Sequence, residues 1–151
     1  MADYAGAEAA IEARLAANWT TTRIAVVNKT PDDPWPPKDA DGTLLPYVLI
    51  EMINTRSSLV ACGMPGSQTW LYLGLIHAHV FVPVGSGKDL AKQYAVAIGE
   101  IYRGKQFYDD VTPGCFARSW SPQVDGGGDG SDDGVWFRVT ATVPFEYWHR
   151  G

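Results

Sequence analysis

The segment WLYLGLIHAHVFVP, from Trp70 to Pro83, decides how this chain folds. In an extended backbone successive side chains point to opposite faces. Leu71, Leu73, Leu75, His77, His79 and Phe81 therefore share one face, and Trp70, Tyr72, Gly74, Ile76, Ala78, Val80 and Val82 the other. Both faces are largely apolar near one end, which places the strand either in a sheet covered twice or at a contact with another subunit. Val84-Gly85-Ser86-Gly87 breaks the strand. Ser86 and Asp89, three apart, then read as a capping-box variant that opens a helix. Leu90, Tyr94, Ala97, Ile98, Ile101 and Tyr102 recur at helical spacing as its expected buried stripe, and Gly104 is a natural stop.

Upstream, Tyr4 to Asn18 is rich in Ala and Glu, and Ile11, Leu15 and Trp19 recur at the spacing of an amphipathic helix. Thr20 to Val27 is β-branched and reads as a short, half-buried strand. Residues 28–46 hold Pro31, Pro34, Pro36, Pro37 and Pro46, so neither a helix nor a central strand passes through them. A loop of that length is usually functional or mobile, and Trp35, set between two prolines, is its candidate contact residue. Tyr47 to Ile53 reads as a strand, Asn54 to Ser58 as a turn, and Leu59 to Cys62 as an antiparallel return.

Downstream, Cys115 to Ser121 and Val135 to Trp148 read as strands. Val135, Phe137, Val139, Ala141, Val143 and Phe145 form one face of the last, and Trp136, Arg138, Thr140, Thr142, Glu146 and Trp148 the other. Asp125 to Gly134 contains only Asp, Gly and Ser, a composition that predicts a mobile hairpin tip. The order of helix, strands, helix, strands predicts an α+β fold with a mostly antiparallel sheet and two main helices on one face. At 151 residues with 46% apolar content, the chain reads as one domain spanning 1–151.

The net charge of -5 offers no footprint for gripping a phosphate backbone. The first residues lack the basic and apolar regions of an export signal. No apolar run approaches the roughly 20 residues that span a bilayer. These features predict a soluble chain with no membrane partner. Cys62 and Cys115 match no CxxC spacing, and both are expected to be free thiols in a reducing compartment.

Candidate chemistry is sparse. His77 and His79, two apart on a strand, point the same way and could place two imidazoles on one metal. A cupin-like site would want a glutamate soon after them, where Val82 and Pro83 stand, and only His149 remains as a third imidazole. The plainer reading makes both histidines ring-bearing residues of a partly wet or inter-subunit strand, with no metal, cofactor or catalytic residue. The acidic run at Asp125 fails the calcium-loop pattern, with Gly127 and Trp136 where ligands belong. Gly85-Ser86-Gly87-Lys88 lacks the upstream glycine of a phosphate loop. Cys115 has no neighbouring partner and reads as a core or sheet cysteine. Six Trp and seven Tyr stand out. Trp136 and Trp148, on the less apolar face of the last strand, either serve a subunit interface or pack beneath helices.

The order of elements resembles the tail-terminator family of long-tailed bacteriophages and related phage-like particles, the minor tail protein U or tail-completion family. The likeness is carried by the helix ending at Asn18-Trp19, the strand before Asn28 and the Pro-rich loop, and Tyr47 to Glu51. It continues through the junction Val82-Pro83-Val84-Gly85-Ser86-Gly87, the helix Leu90 to Arg103, and the closing Val143-Pro144-Phe145. The Asp/Gly insertion at Asp125 to Gly134 departs from the pattern. The resemblance implies a structural virion protein, not an enzyme, that forms a six-membered ring on the head-proximal end of the tail. That ring would halt growth of the tail tube and offer a joining surface to head-tail connector or neck proteins, with DNA passing through its lumen without specific binding. Assembly would take place in the host cytoplasm. A neck or head-completion connector is the alternative in the same class. A small metal-binding enzyme using His77 and His79 is the alternative in a different one.

Overall fold

The computed structural model describes residues 1–151. Helix α1 spans Tyr4–Asn18, and its N-cap Asp3 accepts a hydrogen bond from the Gly6 amide at 2.6 Å, satisfying one of the amide groups that a helix start leaves unpaired. Ala7, Ile11 and Leu15 are buried, with Trp19 following at the C-cap, so the stripe read at helical spacing is the docked one. The strands are β1 (Arg23–Val26), β2 (Tyr47–Ala61), β3 (Thr69–Pro83), β4 (Gln106–Phe107), β5 (Phe116–Ser119), β6 (Gln123–Val124), β7 (Gly128–Asp129) and β8 (Trp136–Arg150). Helix α2 spans Lys88–Tyr102.

All eight strands form one mixed sheet in the order β1-β2-β3-β8-β5-β4, with β6 and β7 also paired to β8. Only β1 and β2 run parallel. This is the mostly antiparallel α+β architecture expected. The core lies between one face of the sheet and the two helices. Val48 and Ile50 of β2, Ile76, Ala78, Val80 and Val82 of β3, and Val139, Ala141, Val143 and Phe145 of β8 meet Ile11, Leu15 and Ile98 there. Each of the larger aliphatic chains contributes roughly 1.5–3 kcal/mol by leaving water.

Five local expectations are corrected. The polar run Asn54 to Ser58 is not a turn, because β2 continues unbroken to Ala61. A bulge absorbs it: Asn54 Oδ1 accepts from the Arg56 amide at 3.1 Å, and Thr55 Oγ1 donates to the Leu73 carbonyl at 3.1 Å. The chain reverses later, between Ala61 and Thr69, where Ser67 N donates to Met64 O at 2.8 Å.

The Asp/Gly run is not a free tip. β6 and β7 lie along the edge of β8 that faces away from β3, and Asp125 Oδ1 accepts from the Gly127 and Thr140 amides at 3.0 and 3.1 Å. Gly127 has φ 86°, and a Cβ there would lie 2.4 Å from Phe137 Cζ. The glycine is what lets the backbone approach β8.

Helix α2 is capped by Gly87, with no side-chain capping bond from Ser86. Its buried stripe is Ala91, Ala95, Ile98, Gly99 and Tyr102, while Ala97 is exposed and Leu90, Tyr94 and Ile101 are half-buried. Small residues occupy the contact because the helix sits close: a Cβ at position 99 would lie 2.8 Å from Pro122 Cβ. Finally, β5 begins at Phe116, leaving Cys115 buried just before it.

Candidate functional site

Both helices cover the same face of the sheet, so the opposite face carries no second layer. The strand register sets its rows. Tyr47, Phe81 and Arg138 stand side by side, followed by Leu49, His79 and Thr140, then Glu51, His77 and Thr142, then Ile53, Leu75 and Pro144. Beyond the β2 bulge, Arg56, Leu73, Glu146 and Arg118 form one row, and Ser58, Leu71, Trp148 and Phe116 the next.

The central rows are polar and tied across three strands. His79 Nε2 lies 2.6 Å from Glu51 Oε1; an ionised carboxylate only accepts, so the ring nitrogen donates. His79 Nδ1 lies 2.7 Å from Thr140 Oγ1, and His77 Nδ1 lies 3.2 Å from Thr142 Oγ1. The two rings are 5.7 Å apart and parallel to within 4°. Burial holds the His77 imidazole below its ordinary range, and His79 beside it pushes the same way, opposed by Glu51. These are the two histidines singled out by sequence, brought together as expected. Their partners Glu51, Thr140 and Thr142 were missed, because only the register between strands brings them alongside.

The third histidine is not part of this group. His149 Nδ1 lies 3.0 Å from Tyr147 Oη and 3.9 Å from Cys115 Sγ, on the helix side of the sheet. No set of three or more His, Cys, Asp or Glu side chains is arranged to hold a metal ion. The five main clefts of the molecule are lined by other residues than His77 and His79.

Aromatic clusters lie at both ends of the bare face. At one, Tyr47 stacks on Phe81 at 4.8 Å and receives the edges of Trp35 at 4.7 Å and Trp136 at 5.0 Å. Arg23 lies over the Trp35 ring at 5.0 Å and donates to the carbonyls of Asp32 and Pro34. Trp35 therefore pins the Pro-rich loop to its own sheet, half-buried. Trp136 is only 7% exposed, so of its two readings the structure favours packing within the chain, although the covering groups are Tyr47 and the β7 turn at Gly130 rather than a helix.

At the other end, Trp148 stacks on Phe116 at 5.9 Å, and Arg118 reaches over Phe116 and Trp120 at 5.2 and 5.7 Å. Trp148 stays half-exposed, and its enclosed Nε1 has no hydrogen-bond partner. Glu146, nearly buried beside Leu73, faces Arg118 at 3.9 Å. Half-exposed Leu71, Leu73 and Leu75, with Ile53 at 46% exposure, connect this cluster to the histidine rows.

No family model matches the chain, and no curated protein matches it. Fourteen solved chains do. One of them, which carries no functional name, superimposes with a TM-score of 0.57 at 19% identity, covering 93% of this chain and 92% of its own. A likeness at that identity establishes a shared fold and nothing further.

Proposed function

We propose that the chain is a structural assembly protein, a tail terminator whose copies form a ring, expected to be a hexamer, at the head-proximal end of a phage or phage-like tail. In that role it stops polymerisation of the tail tube and presents the surface on which connector or neck proteins join. DNA passes through the lumen ungripped, and the protein contributes shape rather than catalysis.

The observation that carries this reading is the bare sheet face. Six rows on up to four strands span on the order of 600 Å², given strand spacings near 4.8 Å and two-residue rises near 6.8 Å. That approaches the roughly 800 Å² each partner contributes to a standard protein interface. Half-exposed Leu71, Leu73, Leu75 and Trp148 lie on it, and such large apolar side chains in a continuous patch favour burial by a partner. The net charge of -5 suits a ring through which DNA must slide without sticking. The order of elements that resembles the terminator family adds to this reading.

Native mass spectrometry of the purified chain tests it, followed by electron microscopy with purified tail tubes. A hexamer, or a monomer that caps tube ends in six-fold rings, is the expected result. A monomer that neither assembles nor binds tubes would sink the reading.

A further inference from the structure

Strand β1 pairs with β2 only from Tyr47 to Ile50, whereas β2 continues to Ala61 with no neighbour on that edge. Where β1 stops, a groove of about 280 Å³ opens between the β2 edge and α1, lined by Glu8, Glu12, Val27, Ile50, Glu51 and Met52. Glu8 and Glu12 are half-buried and make no ion pair, and Glu51 is paired only with His79. Val27 and Ile53 expose 57% and 46% of their surface beside it. The β2 bulge limits the open stretch to about Glu51–Asn54, since Asn54 already engages the Arg56 amide.

We infer that this groove is a docking site for a short extended segment of another polypeptide, rich in Lys or Arg, that adds to β2 as a strand where β1 ends. An unpaired strand edge presents backbone donors and acceptors that an incoming strand completes. Because strand side chains alternate, one side of the guest faces Glu8 and Glu12 on the helix layer and the other faces Glu51. Three carboxylates with one histidine between them select cations on both sides. A second copy of this chain supplies them poorly: its opposite sheet edge, β4, is two residues long, shorter than the open Glu51–Asn54 stretch, and Lys105 before it is followed closely by Asp109 and Asp110. The groove meets the bare face only at its β2 edge, through Glu51 and Ile53, and the inference holds whether or not the chain forms a ring.

The test uses the full chain and a fluorescent capped hexapeptide, Lys-Lys-Val-Val-Lys-Lys, whose extended form presents Lys on both faces. Its controls are the Glu-for-Lys version and a version of equal charge with a central proline. Anisotropy should show saturable binding of the Lys peptide at least tenfold tighter than either control. Amide shifts should be concentrated at Glu51 to Asn54 and Val27, and the E8Q/E12Q variant, folded by circular dichroism, should bind at least tenfold more weakly. Equal binding of the proline peptide would reduce the effect to unspecific charge attraction and overturn the inference, as would absent binding or shifts elsewhere. Self-association of the chain that E8Q/E12Q abolishes would overturn it in favour of a second copy.

Discussion

Glu51 and His79, on neighbouring strands and 28 positions apart in sequence, meet at 2.6 Å across the bare face of the sheet. His79 is simultaneously held by Thr140 at 2.7 Å, so a single ring ties β2, β3 and β8 together. A ring fixed from both nitrogens has one orientation, which gives the middle of this face a defined shape.

The Glu51–His79 contact predicts a small, measurable coupling. The Glu51 side chain is 38% exposed, so solvent screens the pair and its coupling should fall below about 1 kcal/mol. A double-mutant cycle with Glu51→Gln and His79→Gln, read by urea unfolding at pH 6, checks it. A coupling well above that value would mean the contact is less solvated than its exposure states.

His77 sets a pH dependence of known sign. Its folded-state pKa is depressed by burial and by His79, so the folded protein takes up a proton there less readily than the unfolded chain. The stabilising contribution is full above the unfolded value near 6.5 and is lost as pH falls through it towards the folded value. The melting temperature should therefore drop between pH 7.5 and 5, and His77→Gln should shrink that drop. An unchanged pH profile in the variant would assign the effect to other groups.

The two tryptophans of β8 should separate folding from assembly. Trp136, at 7% exposure and wedged against Tyr47, should cost about 3–5 kcal/mol when replaced by Ala, as buried aromatic truncations do. Trp148→Ala should cost less stability, because the ring is half-exposed, and should weaken ring formation or tube capping in native mass spectrometry and microscopy. Intact assembly in a folded Trp148→Ala variant would remove this residue from any interface.

Gly99 predicts a close-packing penalty. An added Cβ would lie 2.8 Å from Pro122 Cβ and 3.0 Å from its Cγ, and a proline ring yields little. Gly99→Ala should destabilise by about 1–3 kcal/mol despite the better helix propensity of alanine. Thermal unfolding decides; a stabilised variant would show that α2 can shift away from the β5–β6 connection.

The α2 stripe shows where sequence reading fell short. Periodicity favoured Leu90, Tyr94 and Ile101 because large apolar residues dominate any count. Ile98 and Tyr102 are buried as read, but the rest of the buried line runs through Ala91, Ala95 and Gly99, since small residues let the helix pack closely. In the same way, Asn54 to Ser58 carried a turn composition, and the bulge hydrogen bonds to Asn54 Oδ1 and from Thr55 Oγ1 kept the strand intact. Composition reports what a segment prefers alone, whereas a long partner strand such as β3 or β8 supplies pairing that overrides it.

Local periodicity by itself determined both helices, the long strands β3 and β8, the α+β class and the pairing of His77 with His79 on one face, because each depends on spacing along the chain. Tertiary structure alone decided which face the helices cover, that Trp136 is enclosed while Trp148 is half-open, and that Glu51, Thr140 and Thr142 flank the histidines. It also decided that His149 lies on the far side of the sheet. The physical reason is register: alternation within a strand is written in its own residues, but the partner opposite each residue is fixed only when separate strands align their hydrogen bonds.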